Sequence, residues 1–208
     1  MDFMQIFTLV TGVIYIILEI RQKNFMWVVG IATSLAAMWV FFRQGLYASF
    51  GLNTYYLITA FIGLWQWGKD RQRLGANASK KSKSAKKSDK TTQNSKPTIH
   101  LNRLTWKAVM VSFIVMIVGT YGVAQLMELL ENPMSYLDSA VTVMSVVATW
   151  WLVRAYIQQW WLWIVADALS TALCVSQEMW MMAVLYGAYS LSAIYGYIHW
   201  KRHGQYIK

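Results

Sequence analysis

Residues 160–200 read WWLWIVADALSTALCVSQEMWMMAVLYGAYSLSAIYGYIHW, two apolar spans separated by a short polar break at Ser176, Gln177 and Glu178. Moved back by 133 positions, the stretch falls on residues 27–67 without a gap. Trp160 meets Trp27, Ile164 meets Ile31, Gln177 meets Gln44 and Leu185 meets Leu52. Further on, Tyr189, Ala193, Gly196 and Trp200 meet Tyr56, Ala60, Gly63 and Trp67, and upstream Arg154 meets Arg21. Chance matches are common between tryptophan-rich apolar segments. An ungapped register that keeps Trp, Tyr, Gly and Trp in order is an internal duplication, and a repeat constrains architecture before any local pattern does.

The 208 residues are enough for one sizeable domain, but 57% are hydrophobic and only 13% charged, with the charges clumped between apolar runs. A helix needs roughly 20 apolar residues to cross a bilayer. Seven such runs lie near 3–20, 25–42, 46–67, 104–127, 140–157, 160–175 and 179–200. None alternates apolar with polar as a barrel strand does. The expected class is all-α integral membrane protein with seven transmembrane helices. Three-helix repeats that enter the membrane in the same orientation need an odd number of helices between them, and one suffices. The expected layout is therefore 3+1+3 with parallel repeats. A first repeat occupies 1–67, a disordered basic linker 68–103, a linking helix 104–130, a second repeat 140–202 and a tail 203–208.

The net charge of +10 invites a nucleic-acid reading, but its placement is that of a membrane topology. With the loop after the third helix inside, 18 of the 19 basic residues fall on the inner side. Only Arg43 lies outside, with Glu128, Glu131, Asp138 and Glu178. This is the positive-inside rule in strong form, and it puts the N-terminus outside and the C-terminus in the cytoplasm. Only Met1 and Asp2 precede the first run, so no cleaved signal peptide is expected. The linker core, SKKSKSAKKSDKTTQNSK over 79–96, cannot bury enough surface to fold. It suits attraction to anionic lipid, and it has no aromatic to stack on bases.

Several chemistries find no footing. The single Cys174 forms no internal disulfide. His100, His199 and His203 are scattered, so no His-based catalytic or metal cluster is expected. No GxxxxGK[ST], HExxH or GxSxG motif occurs, and no cofactor is implied.

The unusual residue is Asp167, because an ionisable group within a transmembrane run is costly and by default marks function. Trp160, Trp163, Ile164 and Asp167 share one helical face. Tryptophan rings beside a carboxylate suit a flat cationic aromatic solute, through stacking and cation–π attraction. The alternative is an Asp167 near the inner surface, bonded to Ser170, Thr171 or water. In the third run Asn53 and Tyr56 are candidate contacts, and a buried amide there either bonds a neighbouring helix or faces a wet cavity. Tyr186, Tyr189 and Tyr197 recur at helical spacing in the seventh. Trp65 and Trp67 stand where an interfacial aromatic belt is expected.

These residues resemble the PnuC family of bacterial vitamin-precursor transporters. The resemblance rests on Trp27 followed by Gly30, FRQGLYA over 42–48, and Gly63 with Trp65, Gln66 and Trp67. It also rests on Trp160, Trp163 and Asp167, and on Tyr195, Gly196 and Tyr197 before Trp200. It covers both repeats. It implies a SWEET-like fold doubled in one chain, a homotrimer, and a solute bound near the bilayer centre by Trp160, Trp163, Asp167, Asn53, Tyr56, Tyr186 and Tyr189. It also implies facilitated diffusion of nicotinamide riboside, with trapping by a cytoplasmic kinase. Riboside-carrying members commonly read Trp-Pro-x-Gly where this chain has Trp27-Val28-Val29-Gly30, and Tyr-Ala-Asp where it has Tyr47-Ala48-Ser49. Sister groups carry thiamine, which is also a cationic aromatic. The other two readings are a membrane scaffold acting through its linker and a membrane enzyme, for which only Glu19 and Asp167 would be at hand.

Overall fold

The computed structural model describes residues 3–43, 47–85, 99–129 and 136–207. The seven apolar runs become seven helices: α1 (Phe3–Ile20), α2 (Phe25–Arg43), α3 (Tyr47–Ala85), α4 (Trp106–Leu129), α5 (Tyr136–Val153), α6 (Gln159–Ser176) and α7 (Trp180–His203). Two short strands, β1 (Ile99–Leu101) and β2 (Gly204–Tyr206), add a small parallel sheet to an otherwise all-α chain. The turn at 44–46, the linker stretch 86–98 and the loop 130–135 lie outside the described residues. The chain divides into two compact units. One is Met1–Asn102 with Val153–Ala155 and His199–Lys208; the other is Arg103–Leu152 with Tyr156–Ile198.

Each unit holds the same interlock. In the first, α2 packs along α3, and a Cβ added to Gly63 of α3 would stand 2.5 Å from the Trp27 indole of α2. In the second, a Cβ on Gly196 of α7 would stand 2.5 Å from the Trp160 indole of α6. Both indoles are buried, at 1% and 2% exposure. A glycine is required at each place because the ring lies directly on the helix backbone. Trp27 and Trp160, like Gly63 and Gly196, are 133 residues apart.

The helix ends repeat as well. α1 stops before Gln22, at φ 48°, and α5 stops before Ala155, at φ 52°, again 133 residues apart. A left-handed residue cannot continue a right-handed helix. This is why α5 ends at Val153 and not at 157 as expected. Its start at Tyr136, earlier than expected, brings Asp138 into the first turn, where a carboxylate opposes the helix dipole favourably.

Part of the stretch expected as a disordered linker, 68–103, has regular structure. α3 continues to Ala85, since Lys, Arg, Gln and Ala are good helix formers even without an apolar face. At the far end Ile99, His100 and Leu101 are buried in β1.

That burial belongs to a clasp within the first unit. β1 and β2 pair in parallel, Ile99 with Gly204 and Leu101 with Tyr206. The Gln22 side chain completes the other edge of β1, donating Nε2–H to the His100 carbonyl (2.8 Å) and accepting the His100 N–H on Oε1 (2.7 Å). Arg71 donates to the Gln22 carbonyl at 2.8 Å. Asn102 Nδ2–H reaches the Arg154 carbonyl (2.9 Å) and Asp70 (3.2 Å), while its backbone N–H reaches the Ala155 carbonyl (3.1 Å). Trp200 donates its indole N–H to the Ile20 carbonyl (3.0 Å). Trp67 sits in the middle, edge-on to Trp27, His100 and Trp200 at centroid distances of 5.0, 5.5 and 6.3 Å.

Trp67 is thus fully buried, while Trp65 is 66% exposed with Lys69 Nζ 4.9 Å from its ring centroid. Only Trp65 fits the interfacial belt expected for both. Residues two apart on a helix point to opposite sides, so one could face lipid only if the other did not. In the second unit α4 exposes Val111, Phe113, Ile114, Ile117 and Val118 around its girth. A helix apolar all round and uncovered by protein has hydrocarbon as its solvent.

Two predictions follow from this packing. Gly63→Ala and Gly196→Ala each lose about 1–3 kcal/mol through overpacking, seen as a lower thermal midpoint in detergent, and Trp27→Leu recovers part of the Gly63→Ala loss. Unchanged midpoints would show that the indoles do not lie against these backbones. His100 is held near pKa 4, first by burial and then by the Arg71 charge. Asp70, at 3.9 Å, is too distant to keep the ring protonated. Because the unfolded ring takes up its proton near pH 6.5 and the folded one does not until about 4, stability falls as pH drops through that window. His100→Gln keeps the main-chain bonds and flattens that slope.

Candidate functional site

The Trp–Asp face of α6 divides into a packing part and a free part. Trp160 has its ring on Gly196 and serves the interlock. One turn on, Trp163 is half-buried, and its indole N–H is buried without an acceptor among the described residues. Another turn on, Asp167 is 8% exposed. Thr171 spends its hydroxyl on the Asp167 carbonyl at 2.7 Å, so it does not serve the carboxylate. Among the described residues no hydrogen bond or ion pair reaches that carboxylate.

α7 supplies the facing aromatic groups. Ser190 donates to the Ile164 carbonyl at 3.5 Å and keeps α7 against this part of α6. Tyr186 and Tyr189 both lie within the field of the Asp167 charge, and their rings stand edge to face at 6.3 Å. Asp167 thus lies in electrostatic reach of Tyr186 and Tyr189, with Trp163 one turn from it on the same face of α6. Tyr197 instead packs at a tilt against Trp161, centroids 5.2 Å apart.

The first unit carries the matching positions with different chemistry. Asn53 and Tyr56 on α3 are the equivalents of Tyr186 and Tyr189, and both are half-buried. Tyr55 and Tyr56 have rings 5.7 Å apart. Where the second unit has Asp167 the first has Ser34, buried at 6% exposure, and where it has Trp163 the first has Gly30. The space over Gly30 is taken by Tyr15, 3.6 Å from where a Cβ would be. Tyr15 lies in electrostatic reach of Glu19 and Tyr56, and Glu19 is buried at 5% exposure. Tyr15 did not stand out in the sequence, and Glu19 did so only as a second carboxylate at the end of a span. Their i, i+4 spacing, with a glycine opposite where the second repeat has tryptophan, was the available signal.

The profile of the nicotinamide mononucleotide transporter family matches residues 2–202, nearly the whole chain. The chain belongs to this family. It is 24% identical over 194 residues to the nicotinamide riboside transporter PnuC of Haemophilus influenzae, covering 93% of this chain and 76% of the relative. For the nicotinamide riboside transporter PnuC of Neisseria mucosa the figures are 25% over 205 residues, 93% and 72%. The crystal structure of the vitamin B3 transporter PnuC has the same fold, with a TM-score of 0.62 at 22% identity over 94% of this chain and 81% of that one. In this member of the nicotinamide mononucleotide transporter family, Trp163, Asp167, Tyr186 and Tyr189 all lie in the second unit.

A buried carboxylate with no partner among the described residues is destabilising until it takes up a proton or a cation neutralises it. Asp167→Asn is accordingly expected to raise the stability of the solute-free protein, by roughly 1 kcal/mol or more. Thermal unfolding in detergent checks this; a lower midpoint would mean that the carboxylate has a structural partner.

Proposed function

We propose that this protein carries nicotinamide riboside across the bacterial inner membrane by facilitated diffusion. The observation that carries the reading is the Trp163, Asp167, Tyr186 and Tyr189 set, an aromatic wall with one unneutralised carboxylate, in a chain of this family. Nicotinamide riboside presents a flat cationic ring and ribose hydroxyls. The ring suits stacking and cation–π contact worth about 0.5–2 kcal/mol, and the carboxylate balances its charge. Asn53 and Tyr56 are proposed as the polar solute contacts of the first repeat, which has Ser34 where the second has Asp167.

The same reading takes the seven helices as 3+1+3 parallel repeats of SWEET-like type, with α4 as the single linking span and the Lys-rich segment on the cytoplasmic side. The N-terminus is then outside. Support comes from the 133-residue offset shared by the sequence, the two interlocks and the two left-handed breaks, and from the charge asymmetry of the loops. A homotrimer is implied by the family resemblance. Phosphorylation of the solute by a cytoplasmic kinase would trap it, since an added phosphate turns a cation into an anion that a carboxylate-lined site disfavours.

Titration calorimetry of the purified protein with nicotinamide riboside and with thiamine tests the assignment. Micromolar or tighter binding of the riboside alone is the expected result. Binding of thiamine alone would assign the sister specificity to Val28, Ser49 and Asn53. Trp163→Ala is expected to cost about 1–3 kcal/mol of binding, by analogy with bases stacked on aromatic side chains. Asp167→Asn weakens the cationic solute more than a neutral analogue of the same shape; equal losses would remove the charge argument.

A further inference from the structure

At the clasp, the hydrogen bond from Trp200 to the Ile20 carbonyl pins the end of α7 against the end of α1. This brings two basic clusters together that lie at opposite ends of the sequence. A cavity of about 290 Å³ opens there, lined by Arg21 and Lys23 after α1, His199 and His203 on the last turn of α7, and Ile99 of β1. Among the described residues of the lining, every polar one is basic. The two imidazoles lie 4.4 Å apart with their planes 33° off parallel. His203 Nδ1 is 3.0 Å from the His199 carbonyl. Donation from Nδ1 leaves Nε2 of His203 as the ring atom able to turn to a ligand.

Two fixed cations, Arg21 and Lys23, beside a pair of imidazoles favour an anion in the open space between them. The volume is near the lower end of small-molecule pockets, ~300–1,000 Å³, and far above the ~30 Å³ share of one water. The ends of α1 and α7 point their carbonyls here, which favours cations in the wall. That accounts for basic residues in the neighbourhood but not for an open space among them.

We propose that this cavity is a binding site for a phosphate-bearing anion, separate from the aromatic–carboxylate set of α6 and α7. The arginine supplies a forked donor and the lysine a point charge, the usual division of labour around a phosphate. Placed at the end of two transmembrane helices, the site is open to two sources of the same chemistry, a lipid phosphate headgroup or a soluble phosphate.

Two measurements on the full chain separate them. In the first, native mass spectrometry follows protein released from micelles doped equally with phosphatidylglycerol and phosphatidylcholine. Retention of phosphatidylglycerol over phosphatidylcholine is expected, falling about fivefold for each cation removed in Arg21→Gln and Lys23→Gln. In the second, inorganic phosphate is titrated into lipid-free detergent solution against chloride at equal ionic strength. A saturable rise in thermal midpoint is expected if soluble phosphate binds, abolished in the same variants. His203→Gln is a third variant on an exposed residue, and Lys107→Gln, a basic change on α4, is the control expected to alter nothing. A response in the lipid arm alone identifies a headgroup site, and in the phosphate arm alone a soluble-phosphate site. No response in either arm, or responses unchanged by all three cavity variants, overturns the proposal.

Discussion

The structure depends on two indoles lying against bare helix backbone. Trp27 over Gly63 and Trp160 over Gly196 set how closely the paired helices approach within each unit. No flexible side chain intervenes at either contact, so neither helix can slide along its partner without lifting an aromatic ring off the surface it covers. In hydrocarbon, where burying apolar groups against each other gains little over burying them in lipid, close backbone approach at small residues is the main source of helix association. Two large, shape-matched contacts therefore do more to define each repeat than the many leucines and valines around them.

From these interlocks the rest follows in order. Because the first repeat is rigid at Trp27 and Gly63, the end of α3 presents Trp67 at a fixed place, and Trp67 becomes the centre on which the clasp closes. Because Trp160 is fixed on Gly196, the next two turns of α6 present Trp163 and then Asp167, the latter in electrostatic reach of Tyr186 and Tyr189. The duplication thus repeats the scaffold while leaving other positions free to diverge. Ser34 and Asp167, or Gly30 and Trp163, occupy matching places with unlike chemistry.

Much of this was legible in the residues. The apolar runs marked all seven helices, and the 133-residue offset had already aligned both tryptophans and both glycines, though it did not say that they touch. Asp167 and Trp163 stood out because charge and indole are conspicuous in an apolar run. Trp160 was harder, since a tryptophan on the same face serves packing or a solute equally well. The end of α5 could not be read, because Ala155 favours helix by propensity and its left-handed backbone arises only in the folded clasp. The clasp itself was hidden for the same reason. Its strands are three residues each, and the partners of His100 come from Gln22, Trp67 and the segment beyond Trp200, none of them local in sequence.

The clasp also carries a consequence for synthesis. β1 is made long before β2, and Trp67 long before Trp200, with α4 to α7 emerging between them. The first unit can therefore assemble α1, α2 and α3 early but must wait for the rest of the chain before Gln22, Trp67 and β1 find all their partners. Contacts so distant in sequence are slow to form and close late. During that interval Ile99 and Leu101, buried in the finished protein, stand open to water beside a helix end rich in unsatisfied carbonyls. Closure of the clasp thus comes last in the order of synthesis.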